Sequence, residues 1–136
     1  MPKFTIRDAR LDDADRLLEI YSYYVENTAI TFEYDIPSIE DYRSRMKHTT
    51  EKYPYLVIEK DGAIQGYAYA GSFVGRAAYD WSCEMTIYLD HHAHLGFTEA
   101  GRFHQCGYKF GRWYDMIWME KLLGEHKTDP EPVRKA

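Results

Sequence analysis

Pro54-Tyr-Leu-Val-Ile-Glu-Lys-Asp-Gly-Ala-Ile-Gln-Gly-Tyr-Ala-Tyr-Ala70 decides the fold of this chain. Two runs rich in β-branched and aromatic residues, Pro54 to Glu59 and Ala63 to Ala70, flank Asp61-Gly62. That dipeptide readily takes positive φ at both centres of a two-residue hairpin turn, so the runs are expected to be antiparallel neighbours. Further on, Trp81 to Leu89 alternates as a third strand of the same sheet. Its period of two sends Ser82, Glu84, Thr86 and Tyr88 to one face and Cys83, Met85, Ile87 and Leu89 to the other. Four polar or hydroxyl-bearing side chains on one face predict a lined cleft. Phe97 to Gly107 and Trp113 to Leu122 read as two more strands or a long hairpin, joined by Tyr108-Lys-Phe-Gly-Arg112.

Toward the N-terminus, Lys3 to Ala9 alternates as a strand, and Asp12, Asp13 and Asp15 then place acids where a helix begins and its dipole favours them. Ala14, Leu17, Leu18, Tyr21, Tyr24 and Val25 recur at helical spacing, an amphipathic helix of about three turns ended by Asn27-Thr28. Ala29 to Tyr34 is a short extended or loop segment with Phe32 at its middle. Ser38 is placed to cap a second helix that carries Ile39, Tyr42 and Met46 on one face. The order is strand, two helices, then mostly antiparallel strands, a mixed α/β fold of the α+β kind.

A chain of 136 residues is one domain's worth. Thirteen Tyr, within an aromatic content of 16%, point to concave amphipathic surfaces or an interface, since Tyr joins a large apolar body to a polar tip. A net charge of −5 gives no electrostatic footprint for nucleic acid, which favours a small-molecule substrate. Cys83 and Cys106 are read as reduced structural thiols, Cys83 serving as a small hydrophobe in its strand. No apolar signal core and no stretch long enough to cross a bilayer is present, so a cytoplasmic protein is expected.

Glu84, on a cleft-facing strand beside Tyr79 and Tyr88 and near Arg76, suits general-base work on an amine whose own carboxylate the arginine holds. The plainer alternative is a surface carboxylate on a half-exposed strand. His91, His92 and His94 have the side chains of a zinc or copper site, but no further ligand at a known spacing completes one, and a solvated turn is expected with no metal. Tyr108, Lys109, Trp113, Tyr114, Asp115 and Trp118 form a second aromatic group, read either as cross-strand pairs of a hairpin or as a dimer surface.

Several blocks carry a family pattern. Ile6-Arg7, Ala9, Ile20-Tyr21, Val25, Asn27-Thr28, Thr31-Phe32-Glu33, Tyr53-Pro54, Gly66 to Ala70, Arg76, Ala78 to Trp81, Glu84, Gly107-Tyr108-Lys109, Gly111, Trp113 and Asp115 resemble the phosphinothricin and methionine-sulfoximine N-acetyltransferases. These belong to the GNAT superfamily of acetyl-CoA-dependent acetyltransferases. The resemblance implies acetyl-CoA as co-substrate, a small-molecule amine as acceptor and a homodimer. It makes Glu84 the base, places Phe32, Arg76 and Tyr79 in the amino-acid pocket, and sets the strand at Tyr88-Leu89 against the pantetheine arm and thioester.

The departure lies after that strand. The family continues into a phosphate-binding turn and helix that hold the CoA pyrophosphate, whereas here Asp90-His-His-Ala-His94 leads straight to Leu95-Gly96-Phe97, which matches the pattern beyond the next strand and helix. The expected fold is a GNAT-type mixed, mostly antiparallel sheet with flanking helices that lacks the central phosphate-loop helix region. Residues 1–123 are expected to form the domain, with the gap near 91–95, and 124–136 a disordered charged tail. The alternative function is an inactive, internally deleted remnant, at most a dimerising or amino-acid-binding module.

Overall fold

The Asp61-Gly62 turn forms as its composition requires, with φ of 51° and 85° placing both residues in the left-handed region. In the computed structural model, which describes residues 3–73, 82–89 and 98–120, this turn joins β2 (Tyr55–Lys60) to β3 (Ala63–Ser72). The remaining elements are β1 (Phe4–Asp8), a 3-10 turn (Leu11–Asp13), α1 (Ala14–Asn27), α2 (Ile39–Thr50), β4 (Cys83–Leu89), β5 (Thr98–Lys109) and β6 (Arg112–Glu120). Strands β1 to β4 form one sheet in sequence order, antiparallel throughout, and β5 pairs antiparallel with β6 in a second. The mixed α/β class with a mostly antiparallel sheet is the one the sequence predicts.

The chain divides into two compact units. In the first, β1 to β4 carry α2 and the part of α1 up to Ser22. Paired residues of an antiparallel ladder share a face, so Arg7, Val57, Tyr67 and Tyr88 make one row across the four strands, and Tyr55, Tyr69 and Thr86 the next. This face meets the helices: Ala14, Leu17, Ile20, Tyr21, Tyr42 and Met46 are buried together with Tyr55, Val57 and Tyr67. On the opposite face Phe4, Ile6, Leu56 and Met85 remain exposed.

Local chemistry fixes the helix starts. Arg7 of β1 makes a bidentate pair with Asp13, at 2.7 and 2.9 Å, and a further bond of 2.9 Å to Glu59 of β2. The Arg7 guanidinium holds the Asp13 carboxyl below its usual range. Ser38 caps α2 as expected, its Oγ accepting from the Asp41 N–H at 3.1 Å.

The second unit comprises residues 23–36 with the β5–β6 hairpin. Its connection is tighter than the five residues expected. Phe110 and Gly111, with φ of 50° and 75°, make a second two-residue left-handed turn. Tyr108, Lys109 and Arg112 are therefore strand residues. A register shift falls between Phe103 and Gly107. There Gln105 takes a φ of 50° and donates its N–H to Asp115 at 3.0 Å. His91 to His94 and the 124–136 tail lie outside the described residues.

Candidate active site

Strand β4 carries three of the candidate residues. Glu84 lies opposite Gly71 of β3, is exposed, and shares the helix-covered face with Thr86 and Tyr88. Of the four side chains expected to line a cleft on this face, Tyr88 borders a cavity, and Ser82, Glu84 and Thr86 are not among its lining residues. A cavity of about 80 Å³ is lined by Tyr21 of α1, Tyr42, Arg45, Met46 and Thr49 of α2, Tyr55, Tyr67 and Tyr69 of β2 and β3, and Tyr88. Its walls are mutually packed rings. Tyr55, Tyr67 and Tyr69 stack with centroids 4.8–6.5 Å apart, and Tyr21 meets Tyr88 edge-on at 5.2 Å.

Burial pushes the Tyr42, Tyr55 and Tyr67 hydroxyls well up from their ordinary range, and the neighbouring phenols add to this at Tyr55 and Tyr67. The three phenols are therefore neutral hydrogen-bonding groups at any working pH. Tyr42 shares its hydroxyl with Tyr55 and Tyr67, which satisfies polar atoms that burial would otherwise penalise.

Leu89 faces the other way, opposite Gly66. A Cβ at position 66 would stand 2.6 Å from the Leu89 Cδ2 and 2.7 Å from the Tyr88 carbonyl oxygen. Only glycine lets β3 and β4 approach this closely where the resemblance puts the pantetheine contact. Phe32 belongs to the second unit, where its ring covers Gly107 so closely that no Cβ fits there. Arg76 and Tyr79 lie outside the described residues.

The sequence reading missed two features, the tyrosine walls of that cavity and a buried lysine. The tyrosine-lined cavity had a signal in the period-two pair Tyr67 and Tyr69 beside Tyr55 and Tyr88. The second feature is Lys109, 2% exposed, whose ammonium donates to the carbonyls of Val25, Thr28 and Thr31. The cross-strand reading of the aromatic group is borne out by Tyr108 against Trp113, at 5.3 Å, and Phe103 against Trp118, at 5.7 Å. Cys83 and Cys106 are free thiols but exposed, not buried small hydrophobes, since Cys83 opens the last strand of its sheet. Among the described residues no His, Cys, Asp and Glu group could hold a metal ion, and no helix is long and apolar enough to cross a membrane.

The acetyltransferase (GNAT) domain family matches the chain over residues 6–93 and again over 91–118. The chain belongs to this family. A phosphinothricin N-acetyltransferase of Streptomyces viridochromogenes is 26% identical over 170 residues, covering 95% of this chain and 92% of the relative. A methionine sulfoximine and methionine sulfone acetyltransferase of Salmonella typhimurium is 27% identical over 166 residues, covering 90% and 96%. A GNAT phosphinothricin acetyltransferase from Sinorhizobium meliloti, solved with AcCoA, superimposes with a TM-score of 0.85 at 30% identity, covering 96% of this chain and 93% of that one. The aligned spans of 170 and 166 residues exceed the 136 of the chain, so these GNAT relatives carry internal residues that this member does not. The family match breaks and resumes at 91–93, directly beyond β4.

Proposed function

We infer that this GNAT protein is an N-acetyltransferase that moves acetyl from acetyl-CoA to the α-amino group of a small amino-acid analogue of the phosphinothricin or methionine-sulfoximine type. The observation that carries this reading is the place of Glu84: an exposed carboxylate on β4, on the same strand face as the cavity-lining Tyr88. From there Glu84 takes a proton from the acceptor amine, directly or through a water. The amine nitrogen then attacks the thioester carbonyl, the C–N bond forms, the C–S bond breaks, and the thiolate leaves to take up a proton. Phe32 supplies an apolar wall of the acceptor pocket. Arg76 holds the acceptor's carboxylate or phosphinate, a bidentate task that a guanidinium performs well, and Tyr79 is a further part of the pocket. Acetyl-CoA lies along β4 at Tyr88-Leu89. The exposed rings of Tyr108, Trp113 and Trp118 on the hairpin support the homodimer that the resemblance implies.

Glu84→Gln is the test. Loss of a general base lowers turnover by about 10²–10⁴ with acceptor KM nearly unchanged. Unaltered turnover removes Glu84 from the mechanism.

One observation favours a second reading. The family match breaks at 91–93, where the resemblance places a pyrophosphate-binding turn, and a member without that turn would be a remnant that keeps an acceptor pocket or a dimer surface without a donor site. Calorimetric titration of the 136-residue chain with acetyl-CoA separates the two. Saturable binding supports the enzyme, and none supports the remnant.

A further inference from the structure

Lysine is among the side chains least often fully buried, because an ammonium removed from water must recover its hydration from the protein. Lys109 sits at the end of β5 at 2% exposure and recovers it from three backbone carbonyls. Its Nζ donates to the carbonyl of Val25, to that of Thr28 at 3.0 Å and to that of Thr31 at 3.1 Å. An ammonium has three protons, and all three are used. Val25 belongs to the last turn of α1, where carbonyls have no helical partner and the dipole favours a cation. Thr28 and Thr31 belong to the loop that follows. The Phe110 ring, 5.0 Å from the ammonium, adds a cation–π contact.

The two residues before Lys109 hold the same loop at two further points. The Tyr34 hydroxyl donates to the Tyr108 carbonyl. The Phe32 ring lies over Gly107, where a side chain of any size would displace it. Three consecutive residues of β5 thus grip a loop that contains Phe32, and four of the five contacts converge on residues 28–34.

We propose that Gly107-Tyr108-Lys109 is a clamp that sets the position of Phe32, and that Lys109 is a positioning residue for acceptor recognition. The proposal rests on the reading of Phe32 as part of the acceptor pocket. It makes acceptor KM, and not the chemical step, the quantity that Lys109 governs.

The test compares Lys109→Met, Lys109→Arg, Tyr34→Phe and Phe32→Leu in the full chain, with phosphinothricin as acceptor. Two readouts are taken: amide hydrogen exchange over residues 28–34, which needs no turnover, and the split between acceptor KM and kcat. Lys109→Met keeps the stem and removes the three donors. It is expected to speed exchange in 28–34 at least about tenfold, and to raise acceptor KM about tenfold, with kcat and acetyl-CoA KM within about twofold. Lys109→Arg keeps the charge and is expected to restore part of both. Should Lys109→Met fail to fold, Tyr34→Phe loosens the same loop from its other end and is expected to move both readouts in the same direction.

Unchanged exchange in 28–34 in the folded variants overturns the clamp. So does an acceptor KM that rises in Phe32→Leu but stays at the wild-type value in Lys109→Met. If Phe32→Leu itself leaves acceptor KM unmoved, the placement of Phe32 in the pocket has failed, and the clamp stands or falls on exchange alone.

Discussion

The two units are held by different physics. Among the described residues, the sheet of β1 to β4 with its helices buries nine hydrophobic side chains, including Leu17 at 0% and Val57 at 1% exposure, and three of its tyrosines bury their hydroxyls with them. The second unit buries Val25, Thr31 and Lys109. Its hairpin leaves Phe103, Tyr108, Phe110, Trp113, Ile117 and Trp118 substantially exposed. Non-directional apolar burial stabilises the first, whereas directional bonds from one buried cation order the loop of the second. Burial of this kind gives a unit that opens only globally, while a loop held by a few bonds opens at lower free energy.

Alkali offers the largest effect. The buried phenols of Tyr42, Tyr55 and Tyr67 stay protonated in the folded state at pH values where the unfolded chain, with ordinary phenols, loses its protons near pH 10. Their contribution is therefore complete below pH 10 and is lost as pH rises above it. A proton that the folded state keeps and the unfolded chain has lost costs at most about 1.4 kcal/mol per pH unit. Unfolding free energies from urea titrations above pH 10 should fall as pH rises, and Tyr67→Phe should make that fall shallower. Tyrosinate absorbance appearing near pH 10 for these three residues while the fold persists would break the contrast at its root.

A pair of core truncations sharpens it. Leu17→Ala, at a fully buried position of the first unit, is expected to cost about 3–5 kcal/mol, because little around it can collapse. Val25→Ala removes two methyl groups in the second unit, about 1.6 kcal/mol of transfer free energy before any cavity contribution. Equilibrium urea unfolding measures both. If Val25→Ala proves the costlier, the second unit depends on its apolar contact more than on Lys109.

The parts that were legible in the sequence are those whose physics is local. Asp61-Gly62 announces its turn because positive φ is a property of those two residues, and Ser38 announces its cap because the bond spans three positions. The face of β4 that carries Glu84 and Tyr88 follows from period-two alternation, whereas the exposure of Met85 on the apolar side does not. Lys109 was not legible. Its carbonyl partners lie 78, 81 and 84 residues earlier, and in sequence it is a lysine beside a glycine-containing turn, where solvation is the default. The tyrosine cavity needed two helices and three strands to converge, and periodicity marks a face without saying what closes over it. The family resemblance supplied a role for Glu84 that spacing alone left open against a surface carboxylate.

The smallest effect is a test of where the two units meet in sequence. Ser38 follows the loop of the second unit and caps α2 of the first, with φ of −63° and ψ of 157° and its Oγ on the Asp41 N–H. Glu40 and Asp41 already complement the positive end of the helix, so the cap's own share is the one amide it satisfies. Ser38→Ala is expected to cost about 1 kcal/mol and Ser38→Gly only a few tenths, an order opposite to helix propensity and specific to a capping position. That loss should be read in the urea stability of the first unit and leave amide exchange in residues 28–34 at the wild-type rate. Faster exchange there in Ser38→Ala would mean that the cap, and not Lys109 alone, holds the loop in place. The division between a unit set by burial and a loop set by one cation would then have to be redrawn at Ser38.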